Sequence, residues 1–174
     1  MSYIEDLFGL AGMTIAITGG GGVLGKAMAE AFLRAGASVA LWDHTRETHE
    51  AAIGELARST GAGDRIGGSI VEASEEASVE DAIRATESRF GGVDVLVNAA
   101  GGNRGKVRFV DADVAQFEAV LKLNLVAGLL VPTKTVCRHW IARGTQGSVI
   151  NVASMGSYVP LSGVWAYDAA KAGV

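Results

Sequence analysis

Tyr167 and Lys171 stand four residues apart at the start of a helical stretch. At that spacing two helical side chains share one face. An ammonium beside a phenol favours the phenolate, which brings a tyrosine toward acid–base use below its ordinary pKa of about 10. Taken alone, Tyr-x-x-x-Lys also describes a surface pair. A second cluster lies near the amino terminus. Gly20, Gly22 and Gly25 fit Gly-x-Gly-x-x-Gly between a β-prone run and a helical pattern. Glycine there permits a tight turn and lets a pyrophosphate reach the N–H groups at a helix start. The alternative is a turn built for packing. Asp43 ends the second β-prone run. A carboxylate at that place accepts hydrogen bonds from a ribose 2′-hydroxyl, or else caps a turn. Lys26 is followed by Ala27, not by serine or threonine, which disfavours a nucleoside triphosphate loop.

These groups need elements to hold them. β-prone runs fall at 13–18, 38–42, 65–71, 93–98 and 148–153. Helical patterns fall at 23–35, 45–59, 75–90 and 114–143, and a last one starts near Trp165. Gly36 and Gly91-Gly92 stop two of them. Pro132 predicts a kink in the long helix. The run 93–98 is apolar on both faces, as strands are when helices cover both sides of a parallel sheet. The alternation predicts an α/β fold: a doubly wound parallel sheet of Rossmann type, strand order 3-2-1-4-5, in a single dinucleotide-binding domain over residues 1–174. A doubly wound sheet of this kind takes at least one more strand, so the carboxyl-terminal strands read as missing.

Composition narrows the function classes. Apolar residues make up 49% and charged residues 20%, a globular balance. The formal charge of −4 gives no general attraction for nucleic acid or an anionic membrane. One cysteine, Cys137, excludes an internal disulfide and reads as a packed thiol in a reducing compartment. Residues 1–6 lack the basic-then-apolar start of a secretory signal. No uninterrupted apolar run reaches the roughly 18 residues of a membrane span. A cytoplasmic protein without a membrane partner is expected. His44, His49 and His139 show no metal-ligand spacing, so no metal is expected. Arg104, Lys106 and Arg108 form either a solvated face or a basic loop on the ligand side of the sheet. Trp165 is a pocket wall or plain packing.

Several motifs share one order. Thr18-Gly19 leads to Val23-Leu24-Gly25; Asn98-Ala99-Ala100-Gly101 follows; Asn124 lies in LKLNLVAG; Ser154 ends INVAS; Tyr167-x-x-x-Lys171 comes last. In order and spacing, over nearly all of the chain, this resembles the short-chain dehydrogenase/reductase family. The resemblance implies an enzyme moving a hydride between a nicotinamide cofactor and a secondary alcohol or ketone. Tyr167 would exchange the proton, Lys171 would bind the nicotinamide ribose and lower the Tyr167 pKa, and Ser154 would hold the substrate oxygen. Asn124 would bind a water that links Lys171 to solvent. Thr18, Gly19, Gly20, Gly22, Val23, Leu24 and Gly25 would cradle the cofactor. Asp43 would select NAD, because it repels a 2′-phosphate. Asn98, Ala99, Ala100 and Gly101 would support its adenosine side, and Glu72 would face the adenine amino group.

Three positions depart from the family pattern. Val23 replaces a glycine, Ala99 an asparagine and Glu72 an aspartate. TGGGGVLG, NAAGGN and GLLVPTK are similar to the D-mannonate oxidoreductase (fructuronate reductase) branch, itself similar to gluconate 5-dehydrogenases. The implied partner is a small molecule, a polyol or a sugar acid such as D-mannonate, with the carboxylate met by Arg104 or Lys106. A homo-oligomer is implied for the full-length protein. The 174 residues alone are expected to be inactive. The competing readings are a family member acting on another polyol and a non-catalytic dinucleotide-binding remnant. An epimerase-like relative fits the INVAS serine and the Asn124 motif less well.

Overall fold

The computed structural model describes residues 3–174. Met1 and Ser2, the start of the segment read above for a signal, lie outside the described residues. Five parallel strands form one sheet: β1 (Thr14–Thr18), β2 (Ser38–Asp43), β3 (Ile66–Ile70), β4 (Val95–Asn98) and β5 (Ser148–Asn151). Their order is β3-β2-β1-β4-β5, as the alternation predicts. The helices are α1 (Tyr3–Phe8), α2 (Val23–Arg34), α3 (Arg46–Thr60), α4 (Glu76–Phe90), α5 (Val114–Leu121), α6 (Val131–Arg143) and α7 (Trp165–Gly173). The short α1 has no counterpart in the sequence reading.

The apolar strands bury alternate residues on opposite faces. Ile15, Ile17, Val39, Leu41, Val95 and Val97 pack with Ala29 and Leu33 of α2 and with Ala52 and Leu56 of α3. Ala16, Ala40, Trp42 and Leu96 pack on the other side with Val79, Ala82 and Ile83 of α4 and with Val131, Val136 and Trp140 of α6. Cys137 is partly buried against this second cluster. Both buried indoles find acceptors, Trp42 at the Thr86 hydroxyl and Trp140 at the Val93 carbonyl.

Two strand bounds are corrected. β4 begins at Val95 and not at residue 93, because the Asp94 carboxylate takes the Thr14 N–H at 2.7 Å in place of a ladder bond. β5 ends at Asn151 and not at 153, where the backbone turns toward Ser154. Pro132 stands at the start of α6, the third segment of the long helix. The irregularity of that helix lies upstream, at residues 122–130, which form a π-helical stretch between α5 and α6. Pro132 brings no N–H to the ladder, and the irregular turns directly precede it.

The 30-residue run Val114–Arg143 also meets the length and composition of a membrane span, with a window of mean hydropathy 1.6. That average tolerates scattered polar residues, such as Lys122 and Asn124, which break any continuous apolar run. Here the helix lays Val120, Val131, Val136 and Trp140 into the domain.

Candidate active site

Parallel strands deliver all their carboxyl ends to one edge of the sheet, and every candidate residue lies there or on a helix just beyond. The loop after β1 turns at Gly19, whose carbonyl accepts the Gly22 N–H at 3.0 Å, and Gly22 caps α2. A Cβ on Gly25 would lie 2.5 Å from the Gly19 carbonyl oxygen, so the first turn of α2 can seat against the loop only with glycine there. Val23 and Leu24 stand exposed at the helix start. The Thr18 hydroxyl accepts the N–H groups of Ala99 and Ala100, each at 3.2 Å, and so fastens the loop after β1 to the loop after β4. Asn98 is a buried strut: its amide donates to the Thr133 hydroxyl and to Asn151 Oδ1, both at 2.8 Å.

Asp43 is buried, and its carboxylate is already engaged. Oδ2 accepts the Gly21 N–H at 2.8 Å, and Oδ1 accepts from the Thr45 N–H and the Thr48 hydroxyl. This anchoring of the glycine loop was invisible in the spacing. A cleft of about 520 Å³ runs over Gly19, Gly21, Gly22, Val23, Leu24, Gly25, Asp43 and residues 99–101. A hollow of about 360 Å³ lies between Glu72, Ser74, His44 and Lys122. Gly19, Ala100, Arg104 and Leu123 line both. Glu72 is exposed and accepts from the Ser74 hydroxyl at 2.7 Å and the Ser74 N–H at 3.2 Å. Those two bonds hold its carboxyl below the usual range.

A second centre gathers around Gly101. Asn124, buried in the π-helical stretch, accepts the Gly102 N–H at 3.1 Å and donates to the Gly102 and Val120 carbonyls. Lys171 is only 6% exposed and donates to the Val152 carbonyl at 2.7 Å. Burial pushes its ammonium below the usual lysine pKa. A Cβ on Gly101 would lie 2.6 Å from Asn124 Oδ1 and 3.6 Å from Lys171 Nζ, so the two side chains meet over this glycine. The Lys171 ammonium sits 5.9 Å from the centre of the Tyr167 ring. Ser154 follows β5; its Oγ accepts the Gly156 N–H at 3.1 Å, which leaves its proton free to point elsewhere. The structure thus brings Asn124, Tyr167 and Lys171 together, with Ser154 on the adjoining loop.

Trp165 is a brace. Its indole donates to the Val107 carbonyl at 2.9 Å, and its ring meets Phe109 edge-on. Of the basic run, Arg108 pairs with Asp111 at 2.6 Å, whereas Arg104 lines the cleft. Among the described residues no three His, Cys, Asp or Glu side chains are grouped to hold a metal ion. Asp168, a buried carboxylate between Tyr167 and Lys171, escaped the sequence reading. Its signal was an acidic residue on the same helix turn as Tyr167.

The sequence model of the family described as short chain dehydrogenase matches residues 13–174. The uncharacterized oxidoreductase UxuB of Bacillus subtilis is 32% identical over 179 aligned residues, which cover 95% of this chain and 63% of that protein. The crystal structure of NAD+-bound xylitol dehydrogenase superposes with a TM-score of 0.84 at 27% identity, covering 93% of this chain and 60% of that one. A Haemophilus influenza protein assigned as a D-mannonate oxidoreductase, solved with bound NAD, gives a TM-score of 0.85 at 29% identity, covering 98% and 65%. The chain therefore spans less than two thirds of the length of each of these proteins. A parallel sheet in this order, a glycine loop at its centre and a match that runs over residues 13–174 have one common owner: the chain belongs to the short chain dehydrogenase family.

Proposed function

We propose that residues 1–174 form one dinucleotide-binding domain of an NAD-dependent oxidoreductase. It interconverts a secondary alcohol and a ketone on a sugar acid such as D-mannonate and D-fructuronate. The observation that carries this is the buried Lys171 ammonium beside the Tyr167 ring, over Gly101 and Asn124, at the end of a glycine-floored cleft.

The cleft fits a dinucleotide. Its floor offers free N–H groups at the start of α2, and a Cβ at Gly25 would close the seat against Gly19. Gly22, Val23 and Leu24 would face the pyrophosphate, with Thr18 holding the loop to Ala99 and Ala100; Gly20, expected there too, is buried against Leu41 and seats the loop on the sheet instead. Asp43 has lone pairs left for a ribose 2′-hydroxyl and repels a 2′-phosphate. Glu72 borders the hollow suited to an adenine ring. When held there, NAD would supply the acceptor for the hydride of the alcohol carbon.

The chain's own groups handle the proton. The Tyr167 oxygen takes the proton of the substrate hydroxyl as the carbon–hydrogen bond breaks, and returns it in the reverse direction. Lys171, poorly solvated, stabilises the phenolate and releases its own proton readily. Asn124 holds the Gly101–Gly102 turn with its amide and retains a lone pair on Oδ1 for a water that links Lys171 to solvent. Ser154, with Gly156 on its lone pair, donates to the substrate oxygen. Arg104 at the cleft mouth, or Lys106 on the same loop, meets a carboxylate. In its full length the protein acts as a homo-oligomer.

Assay of the whole reading frame against D-mannonate, D-gluconate and uncharged polyols, with NAD and NADP, tests this. Turnover of a sugar acid with NAD is expected. A clear preference for carboxylate-free alcohols overturns the substrate class, and tighter binding of NADPH than NADH overturns the cofactor.

A further inference from the structure

Asp168 has no part in the chemistry above, yet it is a buried carboxylate on the same turn of α7 as Tyr167. Its place in the first turn suits a negative charge. Oδ2 accepts the Leu161 N–H at 2.7 Å. Oδ1 is buried and has no hydrogen-bond partner among the described residues. That oxygen presses on Gly156, where any Cβ would overlap it. A buried carboxylate oxygen left without a donor costs free energy, so helix capping alone is a poor account of this geometry.

Gly156 is the residue whose N–H sits on Ser154 Oγ at 3.1 Å. One residue on, the Ser157 hydroxyl donates to the Lys171 carbonyl at 2.6 Å. The turn from Ser154 to Leu161 is therefore tied to α7 by two hydrogen bonds, one of them to Asp168 Oδ2, while Asp168 Oδ1 packs against Gly156. We propose, on the reading of Ser154, Tyr167 and Lys171 as the reacting set, that Asp168 is a positioning residue. It seats the Ser154 turn against α7 and so sets where the Ser154 hydroxyl stands relative to the Tyr167 oxygen.

The experiment compares Asp168→Ala, Asp168→Asn and Gly156→Ala in the whole protein. Amide hydrogen exchange at Gly156 and Leu161, NADH affinity, kcat and KM are measured. A misplacement on the order of 1 Å costs up to about 100-fold in rate, so Asp168→Ala and Gly156→Ala should each lower kcat by about 10- to 100-fold, with NADH affinity kept within about twofold. Asp168→Ala should also speed exchange at both amides. Asp168→Asn keeps an acceptor for Leu161 and should return kcat to within about threefold of the parent, with the same pH profile. Unchanged kcat in Asp168→Ala overturns the proposal, as does Asp168→Asn being equally slow. If Asp168→Ala does not fold, Asp168→Asn and Gly156→Ala decide by the same measurements. If the parent turns over no secondary alcohol, the functional reading has failed. Exchange then decides alone: protection lost in Asp168→Ala and kept in Asp168→Asn supports the seating role, and unchanged protection in both ends it.

Discussion

One oxygen of Asp43 holds the Gly21 N–H while Thr45 and Thr48 reach the other, so the residue proposed to choose the cofactor also shapes the loop beneath it. Hydrogen bonds to a charged group contribute about 1.5–3 kcal/mol, so Asp43→Ala should weaken NADH binding roughly 10- to 100-fold and narrow the gap to NADPH. Fluorescence titration of both cofactors checks this, and an unaltered NADH affinity contradicts it. Tyr167→Phe keeps the ring and removes the oxygen proposed to move the proton; kcat should fall by about 10²–10⁴-fold with NADH binding intact. A variant with near-parental kcat would show that another group moves the proton. Tyr167, Lys171 and Ser154 were legible because their types and intervals are themselves the signal. The Thr18 brace and the Asp168 seat were not, because each ends on backbone N–H groups, which every residue but proline carries.

The π-helical stretch is the element that carries Asn124 to Gly102. Asn124→Ala strips partners from both the N–H and the carbonyl of Gly102, which should cost about 1–3 kcal/mol and lower Tm in a thermal melt. No change in Tm would mean that solvent satisfies those groups. On the other side of the sheet, α3 presses the buried His49 ring against Gly68 of β3, and burial holds its pKa below 6.5 despite nearby Asp43 and Glu50. The folded chain thus keeps His49 neutral while the unfolded chain takes a proton as pH falls through 6.5. Stability is complete above that pH and declines below it. Glu72 and Glu76, also held low, begin to cost stability only below 4.5, so the two ranges separate. Melts between pH 7.5 and 5 should show a falling Tm that His49→Gln flattens; an equal slope in the variant assigns the loss elsewhere. The order of strands and helices was readable from alternating apolar runs. The π-helical turns were not, because a shift in period over nine residues is too small to separate from an ordinary helix.

At the scale of the whole molecule, β5 is an edge, paired among the described residues with β4 alone, and Ile150 on it is 47% exposed. The outer face of the long helix adds exposed Leu130 and Ile141. Unpaired edge groups beside apolar side chains are a template for association. The chain should scatter light increasingly with concentration, and Ile150→Lys should suppress this with an unchanged circular dichroism spectrum. Equal scattering from the two would place the association elsewhere. The sheet order has a further consequence, in time. β1 lies between β2, which follows it closely in sequence, and β4, which ends at Asn98. At roughly 5–20 residues per second of synthesis, β4 is completed roughly 3–11 s after β2. For that interval the central strand emerges from the ribosome with one flank bare and the Thr18 hydroxyl facing water. The hold of Asp43 on the glycine loop can form at that stage, whereas the Thr18 brace waits until Ala99 and Ala100 follow β4.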